Sequence, residues 1–239
     1  MNLEKPSKFH PNRRPWNWLV YDSLDQIMVS ASSEFKGVVY DLGSGDSPYK
    51  NWLSQFVSDY VAVDWPKSIH GGAPDVSADL NESLPIDSGV ADTVMSISVL
   101  EHLHNPGSML CEANRILKPG GSLILQVPWQ WRLHEEPHDY FRYTPFGLRL
   151  LLGSAGFENV EIKPQAGFFS SLILKINYFS LRFIHGPRLV RGGMRVLLWP
   201  CWQVGQLLAP LLDKLDHYPE SETPGYFVTA KKSSLTQRK

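Results

Sequence analysis

The chain predicts an α/β fold built on a mainly parallel sheet, and three observations carry that prediction. The first is Val38-Val39-Tyr40-Asp41-Leu42, an apolar run that ends in a glycine turn, Gly43-Ser44-Gly45. The second is the recurrence of short apolar runs that end in polar or acidic residues: Tyr60 to Asp64, a step ending at Asp79-Leu80, and Thr93 to Val99 before Leu100-Glu101-His102. The third is the punctuation between runs. Ser47-Pro48, Asn105-Pro106 and Thr144-Pro145 each pair an N-cap oxygen with a proline at the first helical position, where its missing N–H costs nothing. Strands that alternate with helices in this way argue for βαβ units and a parallel sheet.

Along the chain, residues 1–34 form an N-terminal extension. Met1 to Pro15 is polar and is expected to be poorly ordered, whereas Trp16 to Ser33 carries Trp18, Leu19, Tyr21, Leu24, Ile27 and Met28 at helical intervals. Residues 35–165 form the core. Its helix after Asn105 is stopped by Pro119-Gly120-Gly121 ahead of the strand Ser122 to Val127, and Ala155-Gly156-Phe157 ends the helix after Thr144 ahead of Asn159 to Lys163. Residues 166–222 read as an apolar helical insertion of two segments, Phe168 to Ile184 and Val196 to Leu212, separated by Gly186-Pro187 and the basic run Arg188 to Gly193. Neither reads as a span: the first holds Lys175, Asn177 and Arg182, and the second is interrupted by Pro200 and Pro210 and falls short of about 20 residues. The insertion is expected to be a lid, a dimer contact or a membrane-surface element. Residues 223–231 hold a last strand, Tyr226 to Ala230, and 232–239 a disordered tail.

Composition bounds the function. With 239 residues and 43% hydrophobic content, the chain can bury a substantial core. A formal net charge of −1 gives no basic footprint, so no nucleic-acid partner is expected. Cys111 and Cys201 are too few for a disulfide framework or a CxxC metal site. The polar start lacks a basic and apolar leader pattern, from which a cytoplasmic location is expected, with peripheral contact at a membrane surface left open by the insertion.

The chemistry begins at the glycine turn. Gly43 and Gly45 let the backbone turn tightly and approach a ligand, but a dinucleotide fingerprint would need glycine where Pro48 stands and would set a pyrophosphate beside Asp46. A nicotinamide oxidoreductase is therefore disfavoured. Asp64 lies about 20 residues beyond the turn, the interval of a ribose-binding acid. Carboxylates thus recur at the ends of successive strands, where ligands bind in open α/β sheets, and such a rim suits a cationic nucleoside such as S-adenosylmethionine.

In this order and spacing, Asp41-Leu42-Gly43-Ser44-Gly45, Asp64, Asp79-Leu80, Asp92 through Leu103 and Leu117-Lys118-Pro119-Gly120-Gly121 resemble the class I S-adenosylmethionine-dependent methyltransferases, with a type 11-like methyltransferase domain. The resemblance runs from about Phe35 to Val160 and includes the final strand. It implies a Rossmann-like, doubly wound sheet of seven strands, with the last antiparallel. It also implies that Gly43 and Gly45 pass the methionine portion of S-adenosylmethionine, Asp41 meets its ammonium, Asp64 the ribose and Asp79 the adenine amino group, while Leu80 flanks the ring and Ser98 lines the floor. Asp46 stands where many members have a small residue and is read as polar lining.

Trp129 to Tyr143, a loop of about 15 residues leaving the same rim, concentrates histidines, acids and aromatics. His138 with Asp139, or His134 with Glu135, could supply a general base. Tyr140, Tyr143, Trp129 and Trp131 could wall the acceptor. His134, His138, Asp139 and Tyr140 are the catalytic candidates. A metal held by His134, His138 and Asp139 suits the donor types but has no support from the resemblance, and none is assigned. Glu101 and His102 are read as structural or cofactor-facing. The expected reaction is methyl transfer from S-adenosylmethionine to a small-molecule, glycan or lipid-type acceptor, at oxygen; the alternative is a cofactor-binding scaffold without turnover.

Overall fold

A computed structural model describes residues 5–8, 10–66 and 72–234. Its centre is a seven-stranded sheet: β1 (Val38–Leu42), β2 (Asp59–Asp64), β3 (Val76–Ser77), β4 (Ala91–Ile97), β5 (Leu117–Pro128), β6 (Phe157–Pro164) and β7 (Gly225–Lys232), in the order β3-β2-β1-β4-β5-β7-β6. Strands β1 to β5 pair in parallel, and β7 inserts antiparallel between β5 and β6. The chain order reverses between β1 and β4, so the crevice above their carboxyl ends is the switch point where such sheets bind ligands.

The helices are α1 (Trp18–Ser30), α2 (Lys50–Leu53), α3 (Pro106–Ile116), α4 (Pro145–Ser154), α5 (Phe168–Ser180) and α6 (Arg188–Leu212). Two of the three proline-started helices form as the sequence predicts. Asn105 accepts a hydrogen bond from the Ser108 N–H, and Thr144 from the Gly147 N–H. The third does not: Ser47 sits at φ 51°, outside cap geometry, and α2 begins only at Lys50. The chain leaves the glycine turn in a left-handed conformation, so Ser47 serves the turn rather than the helix.

Each face of the sheet is packed. On one, Leu110, Ala113 and Ile116 of α3 and Leu148 and Leu152 of α4 meet Val94, Leu123 and Leu125; on the other, Leu24 and Met28 of α1 and Trp52 and Leu53 meet Val39, Met95 and Phe227. A smaller cluster joins Leu19 of α1 to Leu174 of α5 and Ala209 of α6.

The structure corrects the reading of the N-terminus. Within 5–15 the described residues are tied to α1 rather than loose: Ser7 is fully buried and donates through N–H and hydroxyl to Asp25, 2.8 Å each, while Arg13 pairs with Asp22. A carboxylate on the buried side of α1 needs donors, and the leading segment supplies them. The insertion also differs. The basic run is not a separator; it is the first turns of α6, a 25-residue helix that continues through Pro200 and Pro210. Each proline forfeits one backbone hydrogen bond, which a long, largely exposed helix tolerates. Residues 1–4, 9 and 235–239 lie outside the described residues, as does most of the expected tail.

Candidate active site

A cavity of ≈ 1020 Å³ opens over the carboxyl ends of β1, β2 and β4. It sits at the upper end of the range for ligand pockets, with room for a nucleoside cofactor and a second molecule. Asp41, Gly43, Gly45, Asp46, Asp64, Asp79, Leu80 and Ser98 all line it, together with His134, His138 and Tyr140; Asp139 does not.

The floor is set by strand ends. The N–H groups of Gly43 and Ser44 both donate to the Val63 carbonyl, at 2.8 and 3.1 Å, which folds the turn back onto β2. Gly43 has φ 83°, and a Cβ there would come within 2.4 Å of Val99, so only glycine fits. Asp64 accepts from the N–H of Gly45 at 2.8 Å and of Trp65 at 2.6 Å, which fixes its carboxylate beside the turn with lone pairs to spare. Asp79 is exposed at the far end and accepts from the Asn81 N–H at 2.9 Å. Ser98, at φ 55°, donates to the Gln126 side chain at 2.5 Å.

Asp41 lies deepest. It is almost fully buried and accepts a hydrogen bond from the Tyr60 hydroxyl. Burial, partly offset by that bond and reinforced by the nearby Asp64, raises its carboxyl to about 7. Tyr60 was invisible as a site residue in the sequence because its role depends on pairing across β1 and β2.

The loop after β5 organises differently from expectation. Asp139 does not serve His138. Both its oxygens meet Arg142, at 2.5 and 2.7 Å, and one also accepts from the His134 N–H at 3.0 Å. Burial works against its charge, but the Arg142 hydrogen bonds outweigh it and hold the carboxyl well below the usual range. The histidine beside it is His134, whose Nδ1 stands 3.3 Å from the carboxylate. Burial and the neighbouring His102 lower the His134 pKa. His138 instead has Nδ1 3.1 Å from the Tyr140 hydroxyl, at the cavity mouth. Trp131 and Tyr140 do face the cavity, but Trp129 packs on the core and Tyr143 is buried, donating to the Leu100 carbonyl at 2.9 Å. An apolar ring costs less in the core than at the rim, and the strand end and helix start carry both inward.

The larger departure is Glu101. It is 0% exposed, neither carboxylate oxygen has a hydrogen-bond partner, and it lines the cavity with His102. Burial raises its carboxyl to about 8. The roof comes from outside the sheet: Val20 and Tyr21 of α1 and Tyr178 of α5 face inward, with Trp131 against Tyr178 at 5.3 Å and the Arg132 guanidinium 4.6 Å over the same ring.

A doubly wound sheet with β7 antiparallel, a glycine turn after β1 and acids at the ends of β1 and β2 is the architecture that class I S-adenosylmethionine-dependent methyltransferase domains share. Residues 40–125 match the type 11 family described as a methyltransferase domain. Among solved structures, the chain is similar to a SAM-dependent methyltransferase from Archaeoglobus fulgidus (TM-score 0.57, 17% identity, 88% of this chain and 94% of that one). It is also similar to phosphoethanolamine N-methyltransferase 2 from Haemonchus contortus with S-adenosylhomocysteine (0.56, 15%, 92% and 56%) and to the [4+2]-cyclase SpnF (0.60, 15%, 90% and 82%). Two curated relatives match over short stretches. An uncharacterized 37.1 kDa protein of transposon TN4556 from Streptomyces fradiae is 37% identical over 57 residues, 23% of this chain and 16% of that protein. The uncharacterized protein YafE of Escherichia coli is 50% identical over 44 residues, 18% and 21% respectively. The matched stretches thus span under a quarter of those relatives. The cofactor of this class is S-adenosylmethionine, and the residues suit it: a buried carboxylate under a glycine turn that no side chain could share is chemistry for a cation at close approach.

Proposed function

We propose that the chain transfers a methyl group from S-adenosylmethionine to the oxygen of a small-molecule, glycan or lipid-type acceptor held beneath the loop 129–143. The observation that carries this reading is the single cavity in which strand-end acids and the histidine-rich loop face each other. Asp41 would take the ammonium, Asp64 the ribose hydroxyls and Asp79 the adenine amino group, with Leu80 on the ring, Ser98 on the floor and Asp46 at the polar edge. S-adenosylmethionine supplies a methyl on cationic sulfur; the acceptor oxygen forms the new O–C bond as the C–S bond breaks and a neutral thioether leaves. Alignment of the two reactants accounts for most of the acceleration in such a displacement.

The hydroxyl proton still needs an acceptor. His138, with Tyr140 on its Nδ1, stands at the mouth where that proton would be released, and Asp139 acts as a positioning residue through His134 and Arg142. The roof of α1 and α5 supports the lid reading of the insertion. Its outer surface supports a second role, contact with an anionic membrane, because residues 168–212 hold Lys175, Arg182, Arg188, Arg191 and Arg195 and no acid.

Calorimetry with S-adenosylhomocysteine tests the cofactor half. Asp64→Ala is expected to weaken binding by roughly 1–3 kcal/mol through a lost charge-assisted hydrogen bond. An unchanged dissociation constant removes Asp64 from the site. Binding without turnover of any hydroxylated acceptor would favour the scaffold alternative.

A further inference from the structure

Glu101, His102 and His134 meet on one wall of the cavity although 32 positions separate His102 from His134. One ligand atom from each lies within 4.8 Å of the others, and among the described residues no other three His, Cys, Asp or Glu side chains converge so closely. The Glu101 Oε1 stands 3.7 Å from Nε2 of His102 and 3.7 Å from Nε2 of His134. That is too long for a hydrogen bond. It is close to the ~3.4 Å that separates two ligands of one ion at bond lengths of about 2.05 Å and a tetrahedral angle.

His102 places Nδ1 2.7 Å from the His138 carbonyl, which requires that nitrogen to donate and leaves Nε2 with a free lone pair directed at Glu101. His134 places Nδ1 3.3 Å from the Asp139 carboxylate, itself held by Arg142, and again turns Nε2 toward Glu101. One imidazole held through Nδ1 by a carbonyl, and a second whose Nδ1 lies beside a carboxylate that its own backbone N–H engages, both with Nε2 beside Glu101, approach the arrangement in which histidine ligates a metal. The Glu135 carboxylate, 3.8 Å from His102 Nε2, adds negative charge at the opening. A fully buried carboxyl whose two oxygens have no hydrogen-bond partner is costly in its charged form unless something positive meets it.

We propose that Glu101, His102 and His134 bind a divalent transition-metal ion through two imidazoles and one carboxylate, and that its remaining coordination positions face the cavity and take the acceptor hydroxyl. This rests on the O-methyl transfer reading for the acceptor, but the ion site itself does not.

The test uses the full-length protein stripped with a chelator and titrated with Co²⁺, followed by visible absorption, and with Zn²⁺ by calorimetry. One ion per chain is expected, with a ligand-field band characteristic of nitrogen and oxygen donors. Glu101→Gln and His134→Ala should each weaken binding at least tenfold, and Asp139→Asn roughly ten- to a hundredfold, because it removes the charge beside His134 Nδ1. Retained S-adenosylhomocysteine binding in each variant reports an intact fold. Absence of saturable Co²⁺ or Zn²⁺ binding by the wild-type chain at millimolar metal, or binding unaffected by Glu101→Gln, overturns the proposal. Metal binding without S-adenosylhomocysteine binding would reject the cofactor reading and leave the ion site standing; the reverse would do the opposite.

Discussion

Asp41 shows how one side chain couples the site to pH. Its folded value of about 7 lies above the ordinary 3.8, so between those values the folded chain holds a proton that the unfolded chain has lost. The stability this contributes is complete below about pH 4 and is lost as pH rises through 7, on the order of a few kcal/mol. A cationic ligand reverses the balance, because it needs the carboxylate. Affinity for S-adenosylmethionine is therefore expected to fall as pH drops below about 7, with proton release on binding near pH 6, measurable by calorimetry in buffers of different ionisation enthalpy. Tyr60→Phe removes the donor that favours the charged form and should move that transition to higher pH. A flat affinity profile from pH 5.5 to 8 would detach Asp41 from the cofactor.

At the level of elements, one side chain ties the end of the insertion back to its start. Asp213, just past α6, accepts from the N–H groups of Gly167 at 3.1 Å, Phe169 at 2.8 Å and Ser170 at 3.1 Å, and so caps the start of α5 from a distant part of the chain. A Cβ on Gly167 would come within 2.8 Å of that carboxylate, which explains the glycine. Since α5 carries Tyr178 into the cavity, the cap also sets the roof. Asp213→Ala is expected to destabilise the chain by about 1–3 kcal/mol, read by urea unfolding, and Asp213→Asn by less. The sequence marks no cap here, because neither Gly167 nor its neighbours offers a side-chain acceptor and the partner is more than forty positions away.

Across the whole molecule, polarity is divided between two sides. Strand ends and the 129–143 loop face the cavity, whereas α6 buries only Trp202, Gln206 and Ala209 and leaves Leu189 at 90% exposure, Val196 at 75% and Trp199 at 54%. Among the described residues no helix is long and apolar enough to cross a membrane. On the membrane reading proposed above, Arg188, Arg191 and Arg195 of α6 would each contribute about 1 kcal/mol near the surface of an anionic bilayer. The chain should co-sediment with vesicles containing phosphatidylglycerol and not with phosphatidylcholine alone, and less at high salt. Leu197→Glu with Trp199→Glu should abolish that binding without changing affinity for S-adenosylhomocysteine. A salt-independent dimer in sedimentation velocity, lost in the same variant and accompanied by no vesicle binding, would assign the face to a second copy.

The sequence by itself determined what short-range physics encodes. The glycine turn after β1, the acid at the end of β2 and the caps at Asn105 and Thr144 are each specified within a few residues, and so the parallel sheet and the strand-end wall of the cavity were legible. Only the tertiary structure decided which groups meet across long separations. It turned Asp139 from His138 to Arg142 and His134, drew Tyr143 into the core, carried α6 through two prolines, and brought Glu101 and His102 against His134. The reason is geometric: a loop of that length can present its side chains in many ways, and the choice is made by burial and charge pairing with residues far away in the chain.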